Sequence, residues 1–301
     1  MGKYLDPRFD ITFKAVFAEH TDLIISFLNA LLPLKDDELV TEVEYLAPEL
    51  LPMQFDKKNS IVDVRCKDKY GRQFIVEMQM YWTNEFKQRV LFNASKAYVK
   101  QLDGGKSYKN LQPVFSLNLV NDIAFKGEKY YHQFQVAEKG NPDQIIEGVE
   151  LVFVELPKFH SDDKGVNAMM RLWLRFLTEI NTKTAEAPKE LLDNPLISKA
   201  LEIVERSAYS DEQLETYDKI FDIIATEITL KEGAFSEGEM KGRAEGRAEG
   251  EAIGEARGIA KERENAYREK IVNAKKLKTM GVPIETISEG LGLSIEEINK
   301  L

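Results

Sequence analysis

Apolar and polar positions alternate with period two along Ile61–Cys66 and again along Phe74–Gln79. Successive side chains of a strand point to opposite faces, so the pattern predicts a hairpin with one greasy face, made of Val62, Val64 and Cys66 with Phe74, Val76 and Met78. The other face carries Ile61, Asp63 and Arg65 with Ile75, Glu77 and Gln79. A three-residue loop, Lys69-Tyr70-Gly71, with glycine in the left-handed last position, pairs Asp68 with Arg72 and sets Asp63 opposite Glu77. Opposed β-carbons lie about 5 Å apart, which brings two carboxylates together with Gln79 one step further on. Polar residues on one strand face more commonly mark the wet side of a sheet. Two features favour a metal site instead. Facing carboxylates need a compensating cation, either a basic side chain such as Arg65 or a metal. The otherwise apolar run from Phe74 to Met80 also predicts a strand buried on both faces.

Elsewhere the period lengthens to that of a helix. Phe13 with Phe17, and Asp10 with Lys14, stand at i, i+4 spacing and predict a helix over Asp10–Phe17, on which Asp10–Lys14 forms by default an ordinary surface ion pair. A second helix, capped by Thr21 or Asp22, runs through Leu31 to Pro33, and a short strand follows at Glu42–Ala47. After the hairpin, the pattern predicts a helix from about Asn84 to Leu102, with Phe86, Val90, Ala94, Ala97, Leu91, Tyr98 and Leu102 as its apolar stripe. This helix and the loop after it form the clearest basic stretch, with Lys87, Arg89, Lys96, Lys100, Lys106 and Lys109 opposed only by Asp103 between Phe86 and Asn110. Scattered lysines usually mean a solvated face; next to paired carboxylates they also fit phosphate contact. Val114–Val120 and Leu151–Leu156 are strong strand signals and Tyr130–Val136 a weaker one. Helices then follow at about Asp163–Ile180, Pro188–Ser207 and Asp211–Leu230. Strands and a long helix followed by helices alone predict a mixed α/β domain and then an all-helical region.

The last third breaks this pattern. Gly238, Gly242, Gly246, Gly250, Gly254 and Gly258 recur every fourth residue among Glu, Arg, Lys and Ala. Each mid-helix glycine costs about 1 kcal/mol relative to alanine. A solvated, loosely helical linker is therefore favoured over a self-association helix that would join protomers as a homo-oligomer. No strand precedes the repeat and its spacing fits neither nucleotide fingerprint, so it is no phosphate loop. In the tail, Ser294 and Glu297 form a capping box, and two short helices flank Gly290-Leu291-Gly292 in the manner of a helix-turn-helix. Glu296 and Glu297 near the start of the second would face phosphates with carboxylates, which favours a packing or protein-contact module.

Composition narrows the function classes. With 43% hydrophobic residues and a length of 301, the chain can build a sizeable core. No apolar run approaches the roughly 20 residues of a membrane span, and Met1-Gly2-Lys3-Tyr4 opens no signal peptide, so the expectation is a soluble cytoplasmic protein with no membrane partner. Cys66 is the sole cysteine, on an apolar strand face, and reads as core. His20, His132 and His160 lack ligand spacing. A formal charge of -10 argues against a generally nucleic-acid-coating surface and leaves local basic patches as the place for contact.

In order along the chain, Asp10-x-x-Phe13-Lys14-x-x-Phe17, the Asp63 strand, Glu77-Met78-Gln79, the helix from Arg89 to Gln101, the Val114 strand and Glu155-Leu156-Pro157-Lys158-Phe159 resemble the Rpn recombination-promoting nuclease/putative transposase family of the PD-(D/E)xK nuclease superfamily. The resemblance spans nearly the whole chain. It implies an α/β, restriction-endonuclease-like core (a mixed sheet flanked by helices) and Mg²⁺-dependent cleavage of DNA, with Mn²⁺ as a substitute, linked to recombination or transposition. It gives Asp63 and Glu77 as metal ligands, Gln79 in the place where the superfamily more often has lysine, and Asp10 as a further acidic position. Lys14, Lys87, Arg89, Lys96 and Lys100 would then contact the DNA backbone, giving little sequence preference and a steep salt dependence. The expected division is a nuclease-like domain over 1–180, a helical extension over 181–232, the Gly-repeat linker over 233–270 and the tail over 271–301. The alternative function is a nucleic-acid-binding, transposition-associated module with weak or lost cleavage, which Gln79 in place of lysine and the acidic total charge motivate.

Overall fold

The computed structural model describes residues 2–50, 60–102, 107–163 and 166–301. Along the chain, helices α1 (Asp10–Phe17) and α2 (Thr21–Leu31) precede strands β1 (Val43–Tyr45), β2 (Glu49–Leu50) and β3 (Ser60–Ile61) and the hairpin β4 (Val64–Asp68) and β5 (Gln73–Gln79). Helix α3 (Asn84–Val99), strands β6 (Val114–Val120), β7 (Tyr131–Glu138) and β8 (Asn141–Glu155), and helices α4 (Ala168–Glu179), α5 (Lys189–Leu192) and α6 (Pro195–Ile203) follow. Helices α7 (Asp211–Thr279), α8 (Ile284–Leu291) and α9 (Ile295–Asn299) complete the chain. It divides into two units, Met1–Phe221 and Asp222–Leu301.

The first unit is built on a six-stranded mixed sheet of order β1-β4-β5-β6-β8-β7. The hairpin forms as the alternation predicts: Val64 pairs with Val76 and Lys67 with Gln73, and the Asp68 N–H donates to Arg72 O at 3.0 Å. Gly71 supplies the turn's left-handed residue at φ 85°. Strands β5, β6 and β8 run parallel. A parallel pair cannot be joined by a tight turn, and α3 is the crossover between β5 and β6.

Both sheet faces are covered. On one, Val64, Cys66, Phe74, Val76, Leu117 and Val152 pack in the main core with α1, α2, α4 and α6. Phe17, Phe27 and Trp173 join there with ring centroids 4.3 to 5.4 Å apart, and each such buried side chain contributes about 2 kcal/mol or more. On the other, α3 lays Phe86, Val90, Ala94 and Ala97 over Ile75, Val114, Val120 and Phe153. Every residue of β6 is buried, as a central parallel strand requires.

Several expectations are corrected. Val62 joins the cluster beneath α3, away from Val64 and Cys66, because the chain bends at Asp63 and β4 starts only at Val64, which resets the alternation. Leu91 leaves the α3 stripe and is 49% exposed. The N-cap of α2 is His20, with no side-chain cap bond, in place of Thr21 or Asp22. Strand β8 starts ten residues before Leu151, at Asn141, and forms with β7 an extended, largely exposed hairpin arm. The helix expected from Asp163 starts at Ala168, where Asn167 caps it through Met170 N. Lys106 and Asp103 lie outside the described residues.

In the second unit, the expected loose linker is continuous helix as part of α7. Alanine, Glu, Lys and Arg are strong helix formers, and i, i+4 ion pairs such as Lys241–Glu237 and Arg243–Glu239 run along its surface. A β-carbon added at any of the six repeat glycines would meet nothing within 4 Å. The end of α7 packs through Ala274 on Ile287, Leu293 and Ile298 of the tail. The predicted capping box forms between Ser294 and Glu297.

Candidate active site

The site begins where the hairpin loses its regularity. Asp63 occupies the bend before β4, and continuation of the β4–β5 register places it across from Glu77. Its Oδ2 accepts the Met78 N–H at 2.7 Å, so the side chain takes the place of a backbone partner and is locked onto β5. Burial pushes the Asp63 carboxyl up to about 6; the Met78 bond opposes this, the charges of Glu77 and Asp10 add to it, and Lys14 opposes it.

Glu77 is 4% exposed. Its Oε1 accepts Asn93 Nδ2 at 3.0 Å, and its Oε2 lies 3.5 Å from Arg89 Nη2. Burial raises its pKa, and the bond from Asn93 and the charge of Arg89 only partly offset that. Arg89 and Asn93 stand at i, i+4 on α3, which puts both on the helix face over β5. Arg89 Nη2 also donates to Gln79 Oε1 at 2.6 Å, and the guanidinium carbon sits 4.9 Å from the Phe86 ring centroid.

The remaining predicted residues divide by place. Asp10 and Lys14 on α1 pair at 2.7 Å, and both charges act on Asp63. Asp63, Glu77, Gln79, Asp10, Lys14 and Arg89 therefore form one neighbourhood drawn from the hairpin, α1 and α3. Lys87 and Lys96 lie on α3 and Lys100 caps its C-terminus. Lys87 Nζ stands 5.7 Å from the Trp82 ring. Lys100 has its pKa lowered, first by partial burial and then by the charges of Lys96 and Arg65, so Lys96, Lys100 and Arg65 stand within electrostatic reach of one another.

Sequence reasoning missed Asn93 and the inward turn of Arg89. The legible signal for the first is an asparagine beside the apolar stripe Val90, Ala94 and Ala97, where a buried amide must find a partner. Arg65, a candidate counter-charge for the carboxylates, donates instead to Gln73 Oε1, and its charge acts on Lys100.

Among the described residues, no group of three or more His, Cys, Asp and Glu side chains is placed to hold a metal. The donor set is a pair of hard carboxylates, each made harder to ionise by burial. That suits a divalent ion which takes one or two carboxylates and fills its other positions with water and a substrate phosphate. Chemically, the arrangement provides two acids, an arginine and an amide converging on one spot, with further cations along α3.

No similar curated protein and no similar solved structure was found. The family model described as PD-(D/E)XK nuclease family transposase matches residues 7–225, which include α1, the hairpin, α3 and the whole sheet. The chain belongs to that family.

Proposed function

We propose that the protein is a divalent-metal-dependent DNA endonuclease that hydrolyses phosphodiester bonds with little sequence preference, in the service of recombination or transposition. The observation that carries this reading is the under-compensated Asp63–Glu77 pair: a half-buried and a buried carboxylate set across from each other by a hairpin, in a chain of a nuclease family.

Asp63 and Glu77 are the residues that would hold the ion, Mg²⁺ or Mn²⁺. When bound, such an ion lowers the pKa of a coordinated water and offsets charge on the phosphate. The chain's own residues do the rest. Met78 N–H and Asn93 Nδ2 fix the carboxylate oxygens, so little rearrangement is needed when substrate arrives. Lys14, Lys87, Lys96 and Lys100 would contact phosphates, which sets the register of the duplex and reads no sequence. In the reaction a water oxygen forms a bond to phosphorus and loses a proton to solvent. The bridging P–O bond breaks and its oxygen leaves as a hydroxyl after taking up a proton, so one water is consumed for each bond cut.

The test is nicking of supercoiled plasmid by the full-length chain. Nicking is expected with Mg²⁺ or Mn²⁺, is stopped by a chelator, and falls at least about a thousandfold in Asp63→Ala. Full activity in Asp63→Ala would remove the assigned site. A wild-type chain that binds DNA without cutting it would support the binding-module alternative.

A further inference from the structure

Two carboxylates supply no positive charge, yet phosphodiester hydrolysis gathers negative charge on the non-bridging phosphate oxygens as the water attacks. A divalent ion offsets part of that charge and a side-chain cation can meet more of it; among the described residues, Lys14 and Arg89 are near the carboxylates. Lys14 is held by Asp10 at 2.7 Å and reaches Asp63 only through its electrostatic field. Arg89 enters the site directly, 2.6 Å from Gln79 Oε1 and 3.5 Å from Glu77 Oε2. Its guanidinium is steadied by the Phe86 ring, and its side chain remains 48% exposed. A guanidinium has five N–H donors in a planar fork. Among the described residues, the contacts to Gln79 and Glu77 both come from Nη2, which leaves the donors on Nη1 and Nε for a phosphate arriving from the open side.

We propose that Arg89 is a catalytic residue of this site, hydrogen-bonding a non-bridging oxygen of the scissile phosphate, and that Gln79 is a positioning residue whose amide oxygen aims it. The inference rests on the nuclease reading and assigns the role of position 79. Gln79 follows Glu77 by two residues and shares its strand face, so its amide reaches the side of Glu77 from which Arg89 descends. Arg89 donates hydrogen bonds and transfers no proton; it remains a guanidinium throughout. This separates it from Lys87, Lys96 and Lys100, whose expected part is to hold the duplex.

The experiment uses the full-length chain and two readouts: the single-turnover rate of plasmid nicking in Mg²⁺, and affinity for a fluorescent duplex in Ca²⁺. Arg89→Ala is expected to lower the rate about a hundredfold, the scale for one lost transition-state donor, with affinity changed less than about threefold, the scale of one lost phosphate contact. Arg89→Lys should keep part of the rate. Gln79→Lys, which returns a cation to the same strand face, should raise the rate of Arg89→Ala about tenfold. Thermal melting of each variant confirms that the half-exposed positions have not cost the fold. Nicking by Arg89→Ala within threefold of wild type overturns the proposal. So does a loss of DNA affinity equal to the loss of rate, or a double variant no faster than Arg89→Ala. A wild-type chain inert in both Mg²⁺ and Mn²⁺ removes the nuclease reading itself, and this inference with it; loss confined to the Arg89 comparisons leaves the nuclease reading standing.

Discussion

Glu77 and Glu155 are both buried glutamates near the carboxyl ends of parallel strands of one sheet, and their surroundings push them in opposite directions. Glu155, the last residue of β8, has a fully buried side chain. Its Oε1 accepts the Ala124 and Phe125 N–H groups at 2.6 and 3.1 Å. Its Oε2 lies 2.9 Å from Lys158 Nζ and 2.8 Å from His132 Nε2. Burial pushes its pKa up, but the bonds from Lys158, the two backbone amides and His132 outweigh that, and the net shift is downward. For Glu77, burial wins over Asn93 and Arg89 and the net shift is upward. A buried carboxylate supplied with its own cation and amides clamps a structure. One left short of compensation, beside a second acid in the same condition, has an unmet demand for positive charge. The comparison teaches that burial alone does not mark a site; the balance of partners does.

The largest effect is expected at the satisfied member. Glu155→Gln leaves Lys158 without its carboxylate and should destabilise the protein by roughly 3 kcal/mol in a denaturant titration, the scale for breaking one partner out of a buried ion pair. Asp63→Asn and Glu77→Gln, which keep an acceptor for the Met78 N–H and the Asn93 amide, should not destabilise. A melting temperature unchanged in Glu155→Gln would dissolve the contrast.

The next effect has the opposite sign. Folded Asp63 titrates at about 6, above its ordinary 3.8, so between those values the native state holds a proton that the unfolded chain has released. The metal-free protein should therefore lose stability as pH rises from about 4 to about 6. Asp63→Asn should flatten that slope and be the more stable form at pH 8, by up to about 3 kcal/mol. A wild-type stability that rises over this interval would contradict the assignment.

The hairpin half of this contrast was legible in the sequence, and the partners that decide it were not. Period-two alternation and Gly71 fixed the hairpin register, and with it the meeting of Asp63 and Glu77, because turn geometry and strand faces are local properties. The bend at Asp63 was not legible, since it depends on the side chain taking the Met78 N–H, and it sent Val62 to the wrong face. Arg89 reads along the helix as one more solvated cation; only the packing of α3 on β5 shows that it turns inward with Asn93. The β7–β8 arm escaped because Asn141–Glu150 is polar and largely exposed and carries no core pattern. The continuous α7 escaped for the opposite reason: the glycines advertise a break that the surrounding helix formers override.

The smallest effects belong to the α3 surface. Lys96→Ala and Lys100→Ala should each weaken DNA binding several-fold without regard to sequence. Each should also lower the slope of log affinity against log salt by about one, as for a single phosphate contact. Effects on the single-turnover rate at saturating DNA should be slight, which sets this face apart from the carboxylate pair.

The central claim is that partners compensate the charges of Asp63 and Glu77 less fully than those of Glu155, which leaves the pair room for a metal ion. Titration of Mn²⁺ into the metal-free protein, followed by electron paramagnetic resonance, tests it most directly. Wild type and Glu155→Gln should each bind Mn²⁺ saturably, while Asp63→Asn and Glu77→Gln, melting as folded proteins, should lose that binding. Retention of wild-type Mn²⁺ binding in both Asp63→Asn and Glu77→Gln would contradict the account.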